Sequence, residues 1–430
     1  MLEPEIIVSE LTGDSYKLYH HPSGLDVLVM KMEGFTTVEA LFATKYGSVN
    51  NCFRTTDTGD FITVPDGIAH YLEHKLFENE ECGVFELYAG TGAAANAFTS
   101  FNSTAYLFNS SSDYREPLKI LLDFVQQPHF TQENVDKERG IIAQEIKMSN
   151  DSPGRALFFE VLRCLYKAHP VRTDIAGTVE SINDITPELL YKCYNTFYNL
   201  HNMVLAIAGD VEAEDVLAIC DEHLKPVEDK KLESFFPEEP LEVASKGSVI
   251  KRQVGVTMFS MAFKCPPLKG KELYEAFVKL DMLMALLFGP FTVWYSKAIE
   301  DGVINSTFGT EVFASENGYF TCIIEGESKD PEEVRRRLLA ELERARSEEL
   351  DEKLFKTILK GRYGSEIMRF NNVTEAAETM CLNYLEGISA YETLDVMSKL
   401  SVADLKEALE LLDPGRSCFC LVEPSDMDAE

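Results

Sequence analysis

Basic residues are scarce in this chain. Its 430 residues include 40 Lys and Arg against 72 Asp and Glu, a formal charge of −32. So acidic a surface is a poor match for nucleic-acid phosphates or anionic lipid, and neither a nucleic acid nor a membrane is expected as a partner. Long apolar runs are also missing. The longest candidate, Leu280–Phe291, is interrupted by Asp281 and falls short of the roughly 18–20 residues that a spanning helix needs. The opening stretch MLEPEIIVSELTGDSYKL is acidic, with no basic or Arg-rich region and no apolar core, so neither a secretory signal nor a transit peptide is expected. The ten cysteines (Cys52, Cys82, Cys164, Cys193, Cys220, Cys265, Cys322, Cys381, Cys418, Cys420) contain no C-x-x-C pair. Scattered in mostly apolar surroundings, they predict the reduced, buried thiols of a cytoplasmic protein rather than a disulfide framework. The single Trp, Trp294, reads as core or interface.

What remains is an ordinary globular composition, 45% hydrophobic and 26% charged, long enough for two to three domains. The first half reads as strands at Leu25–Met32 and Thr37–Tyr46, then a helix from Asp66 to Asn79 with Asp66 as N-cap. Two strands follow within Ala93–Phe108, then helices at Glu116–Phe124, Gln132–Met148 and Pro187–Phe197, and a buried strand at Met203–Ala208. Lys225–Ser245 carries three prolines and many charges without a period, and reads as a linker. After it the same grammar returns. Val256–Phe263 resembles Val38–Thr44, a helix around Tyr274–Phe288 stands in for Asp66–Asn79, and Gly318–Glu325 matches Thr104–Asn109. Helices at Pro331–Glu349 and Glu352–Arg369 follow, and Ser417–Val422 repeats Met203–Ala208. Val204 and Cys418 are 214 residues apart (418 − 204), half the chain, as a duplication requires. The expected organisation is an N-terminal domain over 1–225, a linker over 226–245 and a homologous C-terminal domain over 246–430.

The chemistry concentrates in His70-Tyr71-Leu72-Glu73-His74. Two histidines four apart share one helix face and can converge on a tetrahedral metal, most often zinc. Glu73 lies within a turn of both, in an H-x-x-E-H order that inverts the H-E-x-x-H protease motif. Catalytic zinc keeps three protein ligands and one open position, so a third ligand must come from another element. The helix after residue 132 offers Glu138 and Glu145, two turns apart on one face; either can ligate while the other holds a supporting hydrogen bond. The same spacing also describes a solvated acidic face. The other histidines, His20, His21, His129, His169, His201 and His223, lack ligand spacing and read as structural or surface groups.

Taken together, VPDGIAHYLEHKLFE, GAAANAFTSFNSTAYLF, DKERGIIAQEIKM and HPVRTDIAGTVESI resemble the insulinase/pitrilysin family of zinc metallopeptidases, nearest to its single-length bacterial members related to mitochondrial processing peptidase. The likeness runs in matching order over about residues 25–215 and continues more weakly beyond. It implies an α+β fold of two homologous domains, each an antiparallel sheet with helices on one side, facing each other as a clamshell around a chamber. It also implies one Zn2+ per chain, held by His70, His74 and Glu145, with Glu73 as the catalytic carboxylate and Glu138 supporting the ligands. Ala95-Asn96-Ala97 resembles the edge strand with which the family pairs an extended peptide substrate, with Asn96 near the scissile bond.

One departure stands out. Full peptidases of the family carry an Arg and, seven residues on, a Tyr, which hold and polarise the substrate carbonyl. Aligned on Gly302, those positions are Ala298 and Asn305. The expected unit is therefore a homodimer, or a heterodimer with a paralogue that supplies the Arg/Tyr pair. Tyr295 or Lys297 standing in for them is the alternative within the chain. A non-catalytic peptide-binding or assembly subunit of the same fold is the second reading, and the intact His70, Glu73, His74 and Glu145 set weighs against it.

Overall fold

The computed structural model describes residues 2–56, 59–78 and 83–425. Asn79 and Cys82 lie outside the described residues. The strands, in chain order, are β1 (Glu5–Val8), β2 (Ser15–His20), β3 (Asp26–Lys31), β4 (Val38–Thr44), β5 (Cys52–Arg54), β6 (Ile62–Thr63), β7 (Ala94–Thr99), β8 (Thr104–Ser110), β9 (Met203–Gly209), β10 (Glu233–Ser234), β11 (Gly247–Arg252), β12 (Met258–Lys264), β13 (Gly309–Ser315), β14 (Tyr319–Glu327) and β15 (Ser417–Pro424). The helices are α1 (Ile68–Leu76), α2 (Val84–Ala89), α3 (Arg115–Val125), α4 (Gln132–Asn150), α5 (Pro153–Leu165), α6 (Pro187–Phe197), α7 (Ala213–His223), α8 (Gly270–Phe288), α9 (Val293–Glu300), α10 (Pro331–Ser347), α11 (Glu352–Arg369), α12 (Val373–Leu385), α13 (Glu392–Lys399) and α14 (Val402–Ala408).

Two compact units result. The first takes its residues from Met1–Ile146, Asp174–Phe235 and Glu366–Glu392, the second from Lys147–Thr173, Phe236–Ser365 and Thr393–Glu430. These differ from contiguous halves. Residues 147–173 join the second unit and 366–392 the first, and the expected linker is divided after Phe235, where β10 has already paired with β5. The physical reason is reciprocal burial: α5 packs on β12 and β15, and α12 packs on β4 and β9.

The first unit is built on a seven-stranded sheet in the order β1-β2-β3-β9-β4-β8-β7. Only β3 and β9 run parallel; the other pairs are antiparallel. Alternation along β4 sends Val38, Ala40 and Phe42 into a core shared with Leu72, Leu118, Leu121 and Phe197. The alternate residues Glu39, Leu41 and Ala43 are buried as well. The opposite face is therefore also covered, and α12 covers it: Thr374 Oγ1 donates to Glu39 Oε2 at 3.1 Å. Burial raises the Glu39 pKa, while the hydrogen bonds from Asn109 and Thr374 oppose that rise.

The second unit repeats this plan in five strands, β11-β15-β12-β14-β13. Strand for strand this matches β3-β9-β4-β8-β7, including the one parallel pair, β11 with β15. The duplication expected from sequence is thus present at the level of strand order and direction. One sheet face packs on α8, α10 and α14 through Phe259, Met261, Ile324, Leu283, Leu338 and Leu405. Helix α5 lies on the other, where Phe158 meets Phe313 at 5.7 Å between ring centroids. Among the described residues no single helix is long and apolar enough to cross a membrane. The bent pair α8 and α9 passes that test only jointly, and ten residues of α8 are buried in the core. The nine described cysteines are all free.

A buried ion pair fixes α5 in the second unit. Lys264 Nζ on β12 contacts Glu239 Oε1 at 2.5 Å, and also reaches Leu165 O at 3.0 Å and Pro240 O at 2.6 Å. Glu239 accepts from the main-chain N–H groups of Lys167, Ala168 and His169, so the segment after α5 is tied to the sheet. Burial works against the Glu239 charge, but Lys264 and those three amides hold its pKa below the usual carboxylate range. Removing one member of such a pair leaves the other charge stranded. Lys264→Met is therefore expected to destabilise the chain by about 3–5 kcal/mol, seen as a lower urea midpoint; an unchanged midpoint would contradict this role.

Candidate active site

Helix α1 carries the H-x-x-E-H segment, and its entry is set by backbone packing rather than by a side-chain cap. The N-cap position is Gly67, not Asp66. Gly67 has φ +89°, and a Cβ there would lie 2.4 Å from Ala176 O. Gly177, at φ +73°, would put a Cβ 2.5 Å from Asp66 O. The two glycines let main chain meet main chain. Asp66 holds the turn instead of capping it: its carbonyl accepts from Ser181 Oγ at 2.8 Å and its carboxylate from Asn51 Nδ2 at 2.9 Å.

Helix α1 is buried on nearly every side; of its nine residues only His74 is not. Tyr71 Oη donates to Val135 O and so ties α1 to α4. Helix α4 is anchored in turn by Arg139, which donates to Ile182 O at 3.3 Å and Ile185 O at 2.9 Å. These contacts set α1 and α4 side by side with their polar faces together.

The histidine rings sit 4.6 Å apart between centroids. Ligand atoms of His70, Glu73 and His74 lie within 4.8 Å of one another. Glu145 faces both rings from α4, 3.5 Å from His70 Nε2 and 3.6 Å from His74 Nε2. Both distances are too long for a well-made hydrogen bond. Oε1 faces His70 and Oε2 faces His74, so the carboxylate spans the two rings, as a third ligand to an ion held between them would. Glu138 Oε1 lies 3.0 Å from His74 Nδ1, which fixes that nitrogen as the donor and leaves the Nε2 lone pair directed toward Glu145. This donor set fits a zinc ion. Of the two acids left open by spacing, Glu145 faces the two Nε2 atoms and Glu138 orients a histidine.

Glu73 is only 8% exposed, and its Oε2 accepts from Thr99 Oγ1 at 2.9 Å. Burial raises its pKa against the pull of His70, His74 and the Thr99 hydrogen bond. Burial also disfavours a charged His74, but the Glu138 hydrogen bond and the carboxylates of Glu73, Glu138 and Glu145 outweigh it and raise that pKa. Two partners went unread in the sequence. Thr99 lies within the GAAANAFTSFN stretch, where alternation places it with Ala95 and Ala97. Lys75 is fully buried and reaches Glu78 Oε2 at 2.5 Å and Glu138 Oε2 at 3.9 Å.

Strand β7 is the sheet edge beside α1. Ala95 and Ala97 stand opposite Phe108 and Tyr106, whose side chains enter the core, whereas Asn96 stands opposite Leu107 and projects to the other face. The Ala97 N–H donates to Asn96 Oδ1 at 2.9 Å, and Ser100 N–H donates back across the hairpin to Ser103 O at 2.8 Å. By alternation the main-chain groups of Ala95, Ala97 and Thr99 point outward, off the sheet.

In the second unit Ala298 is 1% exposed. Asn305 Nδ2 donates to Glu327 Oε2 at 2.8 Å while its Oδ1 accepts from Thr307 N–H at 2.9 Å. Tyr295 stacks edge-on with Phe308 at 6.0 Å, and Lys297 Nζ pairs with Asp301 at 2.7 Å. Of the other histidines, His21 bridges Ser23 and Asp221, and His169 Nε2 contacts Asn317 O at 2.8 Å. Trp294 packs against Phe288 and Phe308.

Two family models match in tandem, one described as Insulinase (Peptidase family M16) over residues 57–179 and one as Peptidase M16 inactive domain over residues 184–361. The chain is 38% identical over 419 residues to an uncharacterized zinc protease, YmfH, of Bacillus subtilis (strain 168), with 95% of this chain and 96% of that protein covered. A crystal structure described as an M16-like peptidase from Alicyclobacillus acidocaldarius matches at TM-score 0.91 and 33% identity, covering 99% of both chains. A protease structure from Helicobacter pylori shares the fold at TM-score 0.82 and 20% identity, covering 99% of this chain and 100% of that one. With two tandem family models and relatives matched over nearly their whole length, the chain belongs to the insulinase family, peptidase family M16.

Proposed function

We propose that the chain is a zinc-dependent endopeptidase that hydrolyses peptides or unfolded segments, and that it is the zinc-bearing member of a two-chain enzyme. The observation that carries this reading is the approach of Glu145 to His70 Nε2 and His74 Nε2 at 3.5 and 3.6 Å, with Glu138 behind His74. Zinc, when bound there, supplies Lewis-acid polarisation of a carbonyl and activation of water.

The chain's own groups supply the rest. Glu73 takes the proton of the attacking water at a carboxylate oxygen and passes it to the leaving amine. Glu138 keeps the His74 ring in one tautomer and orientation. The outward main-chain groups of Ala95 and Ala97 can accept an extended peptide as an added strand, a mode that reads sequence weakly. The Asn96 side chain must first leave the Ala97 N–H.

The divided-site reading rests on the second unit. Ala298 offers no donor, Asn305 is held by Glu327 and Thr307, and Lys297 is paired with Asp301, which leaves the Tyr295 hydroxyl as the alternative donor within the chain.

Two outcomes test this reading. Glu73→Gln is expected to retain one zinc per chain and to lose at least about 10²-fold in peptide cleavage. Glu138→Gln is expected to weaken zinc affinity about 10–100-fold. Zinc titration and cleavage of an unstructured peptide measure both, and a chain that takes up no zinc, or cleaves undiminished as Glu73→Gln, refutes the assignment. Separately, the isolated chain is expected to be slow. Adding a paralogue that bears the Arg/Tyr pair should raise the rate by about 10²–10³. An isolated chain as fast as the mixture would leave no role for a second chain.

A further inference from the structure

We propose that Thr99 is a positioning residue that locks the Glu73 carboxylate to the substrate-binding edge of the sheet. The inference rests on the peptidase reading above and adds a residue to it. Thr99 is the last residue of β7 and stands opposite Thr104, itself fully buried and bonded through Oγ1 to Tyr46 O at 2.9 Å. Its side chain and its main chain have different tasks. Oγ1 donates to Glu73 Oε2 at 2.9 Å, while the main-chain N–H and C=O face off the sheet edge in phase with Ala95 and Ala97.

Each half of that arrangement has a physical consequence. A Glu side chain has three rotatable bonds, and its terminal torsion is broad, so burial alone does not fix the carboxylate plane. Thr is stiff at χ1, and its backbone is fixed in a paired strand, so its hydroxyl has a set direction. Donation to Oε2 therefore fixes the carboxylate plane and leaves Oε1 to collect the proton. A peptide added to β7 takes its register from the same strand. Thr99 thus ties the distance between the scissile carbonyl and the base to one residue, instead of leaving it to two independently mobile elements.

The two roles separate on substitution. Thr99→Val keeps size, branching and the main-chain edge but removes the donor. It is expected to lower kcat about tenfold, the scale of a hydrogen bond to a charged group, with KM within about twofold. Thr99→Ser restores the donor and should recover most of that loss. Zinc stoichiometry and affinity should be the same in wild type and both variants, because no metal ligand is touched, and the thermal unfolding midpoint of each shows that it is folded.

A Thr99→Val chain with wild-type kcat overturns the inference. So does a Thr99→Ser chain as slow as Thr99→Val, which would mean that packing of the methyl group matters instead. A rise in KM at constant kcat would assign Thr99 to peptide binding and likewise overturn it. These failures are distinct from failure of the peptidase reading, which is judged by zinc uptake and by Glu73→Gln. If Glu73→Gln removes turnover and Thr99→Val does not, only the Thr99 inference falls. A wild type without zinc-dependent cleavage overturns both.

Discussion

Helix α1 is buried almost all round and yet carries two imidazoles, a carboxylate and an ammonium group. Taking such groups out of water is unfavourable unless each finds a partner. Much of the first unit answers that constraint. Lys75 pairs with Glu78 and lies beside Glu138, Glu138 receives His74 Nδ1, and Thr99 donates to Glu73. His70 Nε2 and His74 Nε2 face Glu145 at a spacing that hydrogen bonds do not account for. His70 Nδ1 is buried and has no protein partner. A divalent cation between the two Nε2 atoms and Glu145 would meet the lone pairs on that side, so helix burial and the α4 acids form a single problem.

The legible part of the site was the part coded by local spacing. His70, Glu73 and His74 follow from one helical turn, and Glu138 and Glu145 from two turns of another helix. Which of the two acids ligates depends on how α4 rotates against α1, and that is set by Tyr71 on Val135 O and by Arg139 on Ile182 and Ile185, contacts across 43 to 64 positions of sequence. Thr99 was hidden for a similar reason. Its period-2 phase with Ala95 and Ala97 could be read, but nothing local says that α1 lies across that face. Lys75 looks like a surface residue in sequence because burial of a lysine is decided entirely by its partners.

The fold shows the same division. Hydrophobic periodicity located most strands and helices, and the long offset between halves foretold the repeated strand order. What it missed were the two helices that matter most for the compact units, α5 and α12. An amphipathic stretch states that one face wants burial; it does not state which sheet will bury it. Helix α12 meets its sheet through Val373, Ala376, Ala377, Met380 and Cys381, all buried, and its two alanines allow close approach. Helix α5 uses larger groups, among them Phe158 against Phe313. The two occupy equivalent places in the repeat and go to opposite units, so the division of chain between units is reciprocal rather than sequential.

That repeat also separates scaffold from chemistry. Both units share five strands in one order with one parallel pair in the same place. In the second, the helix that succeeds the first antiparallel strand is α8, whose buried stripe is Leu280, Met282, Leu283, Met284, Ala285, Leu286, Leu287 and Phe288. No imidazole or carboxylate appears among those residues, and Leu338, Leu342 and Ala345 of α10 meet them with apolar groups, while the charged Lys279 and Asp281 of α8 pair with Asp404 and Arg362 at the margin of that layer. In the first unit the equivalent place holds α1, and acids from α4 and a hydroxyl from β7 converge on it. One topology therefore supports either a packed apolar layer or a ligand face, and the choice rests on four residues of α1 and the few side chains that complement them.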